Sequence, residues 1–355
     1  MIERYSTRHE DAVRSFNARI HAGGSRYKLP VPSPPGLDGF VALDGDVVRG
    51  GYFVKHQPFL VAGEAATVQH LELPVSEGSV DPTYSPIGVQ ILLHAQRQHP
   101  LMYSLGVGGV DLPLPRMLAT MGWRVRLVPF FFRVVRAAPF LRNIRALRDT
   151  RARRLGADLL AASGAGRLLF RALHLLRTTP SLRSRVYGAE TVESFGAWAD
   201  DVWTLARPSL TLAAQRDAAA LDRLYPPGSR FVRVRVTRAA ATVGWAVLVA
   251  TDMHGHAHFG DMRVGTLVDC LAVPGHERAV IDAATRELVR HDVALIVTNQ
   301  LHAAWQTALR RAGYLSGPSN YAFGTSRRLG AALGPDPAAA RVHMTRGDGS
   351  GPIHL

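Results

Sequence analysis

The chain has 355 residues, 47% of them hydrophobic and 20% charged, and a net charge of +14. That length and balance suit a globular protein with room for two cores. Its one cysteine, Cys270, excludes an intramolecular disulfide and a cysteine-based zinc site.

All but two of the 42 basic residues, Lys28 and Lys55, are arginine. Such a surface favours anionic partners: a phosphorylated cofactor, an acidic carrier protein or an anionic membrane face. The aromatic residues do not interleave with the basic ones as a nucleic-acid surface requires, so no nucleic acid is expected.

In chain order, the opening MIERYSTRHEDAVRSF is charged throughout and does not read as a signal peptide; a cytoplasmic location is the expectation. Asp44 to Val54, DGDVVRGGYFV, reads as strand, turn and strand, with Gly-aromatic near the start of the second. The strand VQHLELPV puts His70 and Glu72 two apart and so on one face. DPTYSPIGVQILLHAQ then gives a loop with two prolines and a helix carrying Ile87, Ile91, Leu92 and Ala95 on one side. A helix that opens near a glycine after a strand and loop presents free N–H groups to an anion. The bland alternative is a plain helix start with proline in its first turn.

Beyond a short apolar strand, LMYSL, and a helix ending at Gly122-Trp123, the stretch from Ala137 to Gly188 is helical and arginine-rich. Its longest apolar run, Leu159 to Leu176, is broken by Arg167 and Arg171 and does not read as a membrane span. Two readings stay open for it: a bridge with a solvated basic face, or a docking surface for an acidic acyl carrier protein or an anionic membrane. Further on, His254, His256 and His258 alternate as metal ligands on a strand would, but the glycines around them suggest a hairpin end, and no metal is expected.

Two parts of the chain run in parallel. RQHPLMYSLGVGG and PRMLATMGWRVRLV are echoed by RHDVALIVTNQ and QTALRRAGYLSGPS, and DGDVVRGGYFV by RAAATVGWAVLV. His99 matches His291, and Gly122-Trp123 matches Gly313-Tyr314, at an offset of about 190 residues. Three echoes in one order indicate two copies of one α/β domain. The division is a first domain over 1–136, a basic helical connector over 137–188, a second domain over 189–330 and a loosely ordered tail over 331–355.

The order within each copy, carried by LELPV, Pro86-Ile87-Gly88, LMYSLGVGG and LATMGW and by their counterparts, resembles the GNAT N-acetyltransferase fold. The whole chain looks like a tandem GNAT protein. QRDAAALDRLYPPGSRFVRVRV resembles the entry to the second such domain in bacterial polysaccharide-pathway proteins. The resemblance implies an α/β (α+β) fold of two GNAT-like domains, each a mixed, mostly antiparallel sheet flanked by helices. It implies an N-acyltransferase moving an acetyl or other acyl group from acyl-CoA to an amine, with a small molecule or an amino sugar as acceptor. An acyl-carrier-protein donor, or a non-catalytic binding protein, is the alternative.

The resemblance also implies roles for particular residues. The coenzyme would lie along Leu73 and Val75 of the splayed strand, and its pyrophosphate at Tyr84, Ser85, Ile87, Gly88, Val89 and Gln90. The family pattern Arg/Gln-x-x-Gly-x-Gly/Ala is met only at its end, since Pro86 replaces the first glycine and offers no N–H. Glu72, with His70 beside it, would be the base. The family's tyrosine acid falls on Leu118 and Leu309, which leaves Tyr103 or Tyr84 to replace it. In the second copy AVPGHERAVIDAATREL sets an acid, Glu277, beside the would-be phosphate site, so that copy is read as degenerate.

Overall fold

The computed structural model describes residues 1–178, 186–335 and 341–349. The chain divides into two units: Met1–Leu127 with Asn320–Ala340, and Val128–Ser319 with Arg341–Leu355. Each is a mixed α/β unit with one sheet flanked by helices.

The first unit runs β1 (Ile2–Arg4), α1 (Glu10–Ala22), β2 (Asp38–Asp44), β3 (Val47–Val61), β4 (Glu64–Ser76), α2 (Ser85–Gln98), β5 (Met102–Leu105), α3 (Pro113–Thr120) and β6 (Arg124–Leu127). Residues from the far end of the chain add β15 (Ala322–Thr325) and α11 (Arg327–Ala332). The strand order is β1-β2-β3-β4-β5-β15-β6. Among the neighbours in that order, within the described residues, β4 and β5 alone run parallel, as expected of strands joined through a helix.

Ala62 and Gly63 both take positive φ and close the β3–β4 hairpin, a two-residue turn whose twist suits the long ladder it joins. The helices cover both faces of the sheet. α1 packs Val13, Phe16 and Ile20 against Val41, Val48, Phe53 and Val75. On the other face α2 buries Ile91, Leu92 and Ala95 against Tyr52, Val54, Leu71 and Met102, with Ile87 at the edge, the stripe that its spacing predicts. Gly50 makes that approach feasible, since a Cβ there would lie 2.7 Å from Ile91 Cδ1.

The second unit runs β7 (Phe130–Val134), α4 (Ala137–Asn143), α5 (Arg151–Ala162), α6 (Ala165–Arg177), β8 (Tyr187–Val192), α7 (Ala197–Ala206), β9 (Leu212–Ala214), α8 (Ala218–Leu224), β10 (Val232–Arg238), β11 (Ala241–Asp252), β12 (Arg263–Ala272), α9 (Glu277–Arg290), β13 (Leu295–Asn299), α10 (Ala303–Arg311), β14 (Leu315–Gly317) and β16 (Val342–His343). Its seven-stranded sheet is ordered β14-β7-β13-β12-β11-β10-β8. Again one pair, β12–β13, is parallel. Gly244 serves α9 as Gly50 serves α2, because a Cβ there would lie 2.6 Å from Val280 Cγ2.

The sequence echoes fall at matching places. Gly122 and Gly313 each take positive φ just past a helix, and the next aromatic N–H, of Trp123 or Tyr314, bonds back to the carbonyl of Leu118 or Leu309. Those leucines are fully buried in the two cores.

Two features depart from the sequence reading. β7, counted with the first domain, lies between β13 and β14 of the second sheet, while β15 lies between β5 and β6 of the first. The tail, expected to be loosely ordered, is built in over 341–349: β16 pairs with β9, and Val342, His343, Met344, Thr345 and Asp348 are buried. Its apolar and hydrogen-bonding side chains find partners in the second unit's core. Residues 336–340 and 350–355 lie outside the described residues.

Candidate active site

β4 pairs with β5 at only two positions, Gln69 with Met102 and His70 with Tyr103. Beyond them β4 keeps β3 as partner and β5 keeps β15, so the two strands part. A bulge follows in β4: Phe53 stands opposite Glu72 and Gly51 opposite Val75, with three residues of β4 advancing for two of β3. Leu73 carries it at φ +46°, a left-handed conformation that costs a leucine free energy.

The chemistry-bearing side chains gather where the strands part. His70 Nδ1 lies 3.0 Å from Glu72 Oε1, with His70 fully buried and Glu72 at 7% exposure. The His70 ring stacks on Tyr103 at 4.6 Å between centroids and 13° between planes. Tyr103 donates its hydroxyl hydrogen to Gln57 Oε1. Burial alone would raise the Glu72 pKa, but the hydrogen bond from His70 and the charges of His70 and Lys55 outweigh it and hold the carboxyl below its ordinary value. Glu72 is therefore an ionised carboxylate at neutral pH, and the only member of the trio with an edge in solvent. Two buried polar atoms here have no hydrogen-bond partner among the described residues, His70 Nε2 and Ser104 Oγ. Native structures leave few such atoms, and unsatisfied ones commonly meet a water or a ligand.

Sequence reasoning found His70, Glu72 and Tyr103, and the structure brings all three together. It missed Lys55 and Gln57, which lie opposite His70 and Val68 in the β3–β4 ladder. Their alternation, Phe53-x-Lys55-x-Gln57, was the available signal, but it becomes informative only once the Ala62-Gly63 turn fixes the register.

The loop and the start of α2 hold the residues expected at the coenzyme. Asp81 Oδ1 accepts from Thr83 N, closing a short 3₁₀ turn over Pro82–Tyr84 that leads into α2. Ser85, Val89 and Gln90 are exposed, and Tyr84, Ile87 and Gly88 are half-buried. No acidic residue occupies the first turn of α2, so its dipole end stays open to an anion. The Tyr84 ring lies under the Arg49 guanidinium at 4.1 Å, and Arg49 and Arg19 both bond Glu77 beneath the loop. This places Tyr84 in a packing role with the arginine. Val75 is buried against the α1 side, which leaves its backbone as the part available to a ligand.

The corresponding part of the second unit is occupied by the protein itself. β12 pairs with β13 from Val264–Leu295 to Thr266–Val297 and then parts from it. Asp269 there is fully buried, 2.9 Å from Arg216 Nε, and accepts from Tyr225 OH at 2.8 Å and Thr345 Oγ1 at 3.0 Å. Arg216 also bonds Asp348 at 2.5 Å. Burial raises the Asp269 pKa, Arg216 draws it back and Asp348 pushes it up again, with a net rise. At the start of α9 the Glu277 carboxylate takes the Gly275 N–H. His254, His256 and His258 sit on the hairpin that their glycines suggested, closed by a His256–Gly260 bridge.

Two sheets of this kind, each with helices on its faces, form the fold of GNAT-like N-acyltransferases. A conserved Enterococcus faecalis protein described as a probable N-acyltransferase superposes with TM-score 0.50 at 9% identity, over 94% of this chain and 74% of that one. N-myristoyltransferase of Saccharomyces cerevisiae with bound myristoyl-CoA gives 0.51 at 9% identity, over 92% of this chain and 82% of that one. A GCN5-related N-acetyltransferase from Anabaena variabilis gives 0.50 at 8% identity, over 91% and 72%. No protein-family model matches the chain, and no curated protein matches it in sequence.

Proposed function

We propose that this chain is a tandem GNAT acyltransferase that moves an acyl group from acyl-CoA to an amine, with the chemistry in the first unit. One observation carries the reading: β4 parts from β5 directly beside the buried Glu72–His70 pair, with the bulge at Leu73 holding the strand open. The solved folds it resembles include N-myristoyltransferase with myristoyl-CoA bound and a protein described as a probable N-acyltransferase.

The residues present fit such a donor. The acid-free first turn of α2 supplies its dipole and the N–H of Ile87 for a diphosphate; the Ser85 N–H is taken by the Pro82 carbonyl, and Pro86 has none. The parted strands leave backbone groups of Leu73 and Val75 unpaired on the β5 side for an extended thiol arm. The coenzyme supplies the acyl thioester when bound. Glu72 Oε then takes the proton that the acceptor amine loses, as a general base with an exposed edge. His70, behind it, is a positioning residue: its Nδ1 holds the carboxylate and its stack on Tyr103 fixes the ring. The family resemblance points to an amino sugar of a polysaccharide pathway as acceptor.

The test is native mass spectrometry with acetyl-CoA and a longer acyl-CoA, followed by thiol-release assays over an amine panel. The expected result is one coenzyme per chain, and a Glu72→Gln variant that keeps coenzyme while kcat/KM falls about 10²–10⁴-fold. Absence of coenzyme binding, or full activity in Glu72→Gln, would overturn the reading.

A further inference from the structure

α5 and α6 present an apolar face to solvent. Leu155, Leu159, Leu168, Leu169, Leu175 and Leu176 are exposed by 54% (Leu169) to 86% (Leu176). Their spacing is not scattered. On α6, Ala165, Leu168, Leu169, Ala172, Leu175 and Leu176 follow i, i+3, i+4, i+7, i+10 and i+11, one side of a helix. On α5, Ala152, Leu155, Leu159 and Ala162 do the same. The opposite sides are anchored in the second unit: Ala157 and Ala161 are buried with Phe140 and Leu141, and Phe170 packs edge-on against Phe140 at 5.5 Å. Gly166 lets α6 approach, since a Cβ there would lie 2.6 Å from Leu141 Cδ1. Each helix is therefore held by one side and bare and apolar on the other. Soluble proteins rarely expose a contiguous patch of this kind without a partner.

The charge around the patch says what covers it. Residues 137–178 hold nine arginines and two acidic residues, Asp149 and Asp158. Both aspartates are paired, Asp158 with Arg148 at 2.5 Å and Asp149 with Arg153 at 2.7 Å. Arg151, Arg154, Arg167, Arg171 and Arg177 are exposed around the leucines. A second copy of the chain would set this array against its own like charges. Leucine is under-represented among the hot spots of protein–protein interfaces, and the exposed stripes carry only leucine and alanine. Aliphatic stripes bordered by arginine match a bilayer surface, with leucines among the acyl chains and guanidinium groups at anionic headgroups.

We propose that α5 and α6 dock this protein on an anionic lipid surface. They lie on the membrane and do not span it. Among the described residues no single helix is long and apolar enough to cross; α5 and α6 reach the length and composition only together, and they meet at 85°. Their inner sides are already committed to the protein core. The inference is independent of the acyltransferase reading.

Flotation of the full chain with vesicles tests it, comparing pure phosphatidylcholine with phosphatidylcholine containing about a third phosphatidylglycerol. Binding is expected on the anionic vesicles, at least about tenfold weaker on the neutral ones and weaker again at high salt. Leu168→Gln/Leu175→Gln/Leu176→Gln should lose about tenfold or more, and neutralising one bordering arginine, as in Arg171→Gln, roughly fivefold. All these sites are exposed, and circular dichroism checks that the fold is kept. The proposal is overturned if wild type floats with neither composition, or binds both equally. It is equally overturned if the leucine variant floats as well as wild type, or if wild type ignores vesicles but dimerises or binds an acidic carrier protein through these leucines.

Discussion

The places where β4 leaves β5 and where β12 leaves β13 have the same origin in chain geometry and opposite contents. Each parallel pair is short, ending at His70–Tyr103 in one and at Thr266–Val297 in the other. Three residues later stand Leu73 and Asp269. Past that point the first unit has a strained bulge, an ionised Glu72 with an edge in solvent and an orphaned His70 Nε2. The second has a buried ion-pair network, to which Asp348 contributes, and an acid on the helix start. Strand parting by itself is therefore not a functional mark. Unpartnered buried atoms do not separate the two either, since among the described residues Arg216 Nη1, Thr266 Oγ1 and Gln300 Oε1 of the second unit have no hydrogen-bond partner, like His70 Nε2 of the first. What separates them is the content: a carboxylate with an edge in solvent in one, and two carboxylates buried against an arginine in the other.

The largest predicted effect follows from that burial. Arg216→Met would leave the Asp269 and Asp348 carboxylates buried side by side without their cation, at a cost of about 3–5 kcal/mol by urea denaturation. Removing the charges with it, as Arg216→Met/Asp269→Asn/Asp348→Asn, should recover most of the loss. If the single variant costs under about 1 kcal/mol, the network is not buried as described and the contrast between the units fails.

Acid should open the second unit first. Burial, with neighbouring positive charge, lowers His302 and His343 to about 4 from 6.5. The unfolded chain takes up these protons before the folded one does. Stability from the two groups is thus complete above pH 6.5 and declines as pH falls toward 4. Glu72, depressed in the fold, adds stability that is lost only as pH falls below its ordinary value of 4.5. Hydrogen exchange followed by mass spectrometry between pH 7 and 4 should show peptides around His343 losing protection before those around Glu72. The reverse order would contradict the burial of these histidines.

Coenzyme stoichiometry divides the units more gently. Gly88→Glu puts a carboxylate into the first turn of α2, and its Cβ meets Ser76 Oγ at 3.1 Å, a contact that the hydroxyl can relieve. It should weaken acyl-CoA at least about tenfold through charge at the helix start. Glu277→Ala should leave the count at one coenzyme per chain, because the Arg216–Asp269–Asp348 network still fills the second opening. A second coenzyme bound to Glu277→Ala would show that the glutamate alone had closed that unit.

The two contents were unequally legible in the sequence. The α2 stripe, the Gly-aromatic signals and the His70–Glu72 pair are local patterns, readable because helix and strand periods put neighbours on known faces. Glu277 beside the second helix start was legible for the same reason. The strand exchange was not: nothing local in FFFRV or AFGT says that each enters the sheet built mainly by the other half of the chain. Nor was the closure of the second opening, where Arg216, Asp269 and Asp348 come from three remote segments. The tail looked disordered because glycine, proline and alanine surround the few residues, Thr345 and Asp348 among them, that bind it to the core.

The smallest predicted effect concerns Leu73, and it has an unusual sign. In an ordinary strand, valine is preferred and glycine costs stability. At φ +46° the order should invert. Leu73→Gly sheds the left-handed strain and loses the packing of a half-buried side chain, terms of about 1 kcal/mol each that nearly cancel. Leu73→Val keeps most of the apolar surface, yet its branched Cβ resists the left-handed region, so it should be the less stable of the two. Val268, in the irregular part of the β11–β12 ladder, is not among the described positive-φ residues and is fully buried. There Val268→Gly should cost well over 1 kcal/mol, in the usual direction. Thermal unfolding of these three variants against wild type would show whether the first opening alone is held by backbone strain: if Leu73→Val proves more stable than Leu73→Gly, β4 is an ordinary strand at this point, and the opening beside Glu72 must be held by the packing of α2 instead.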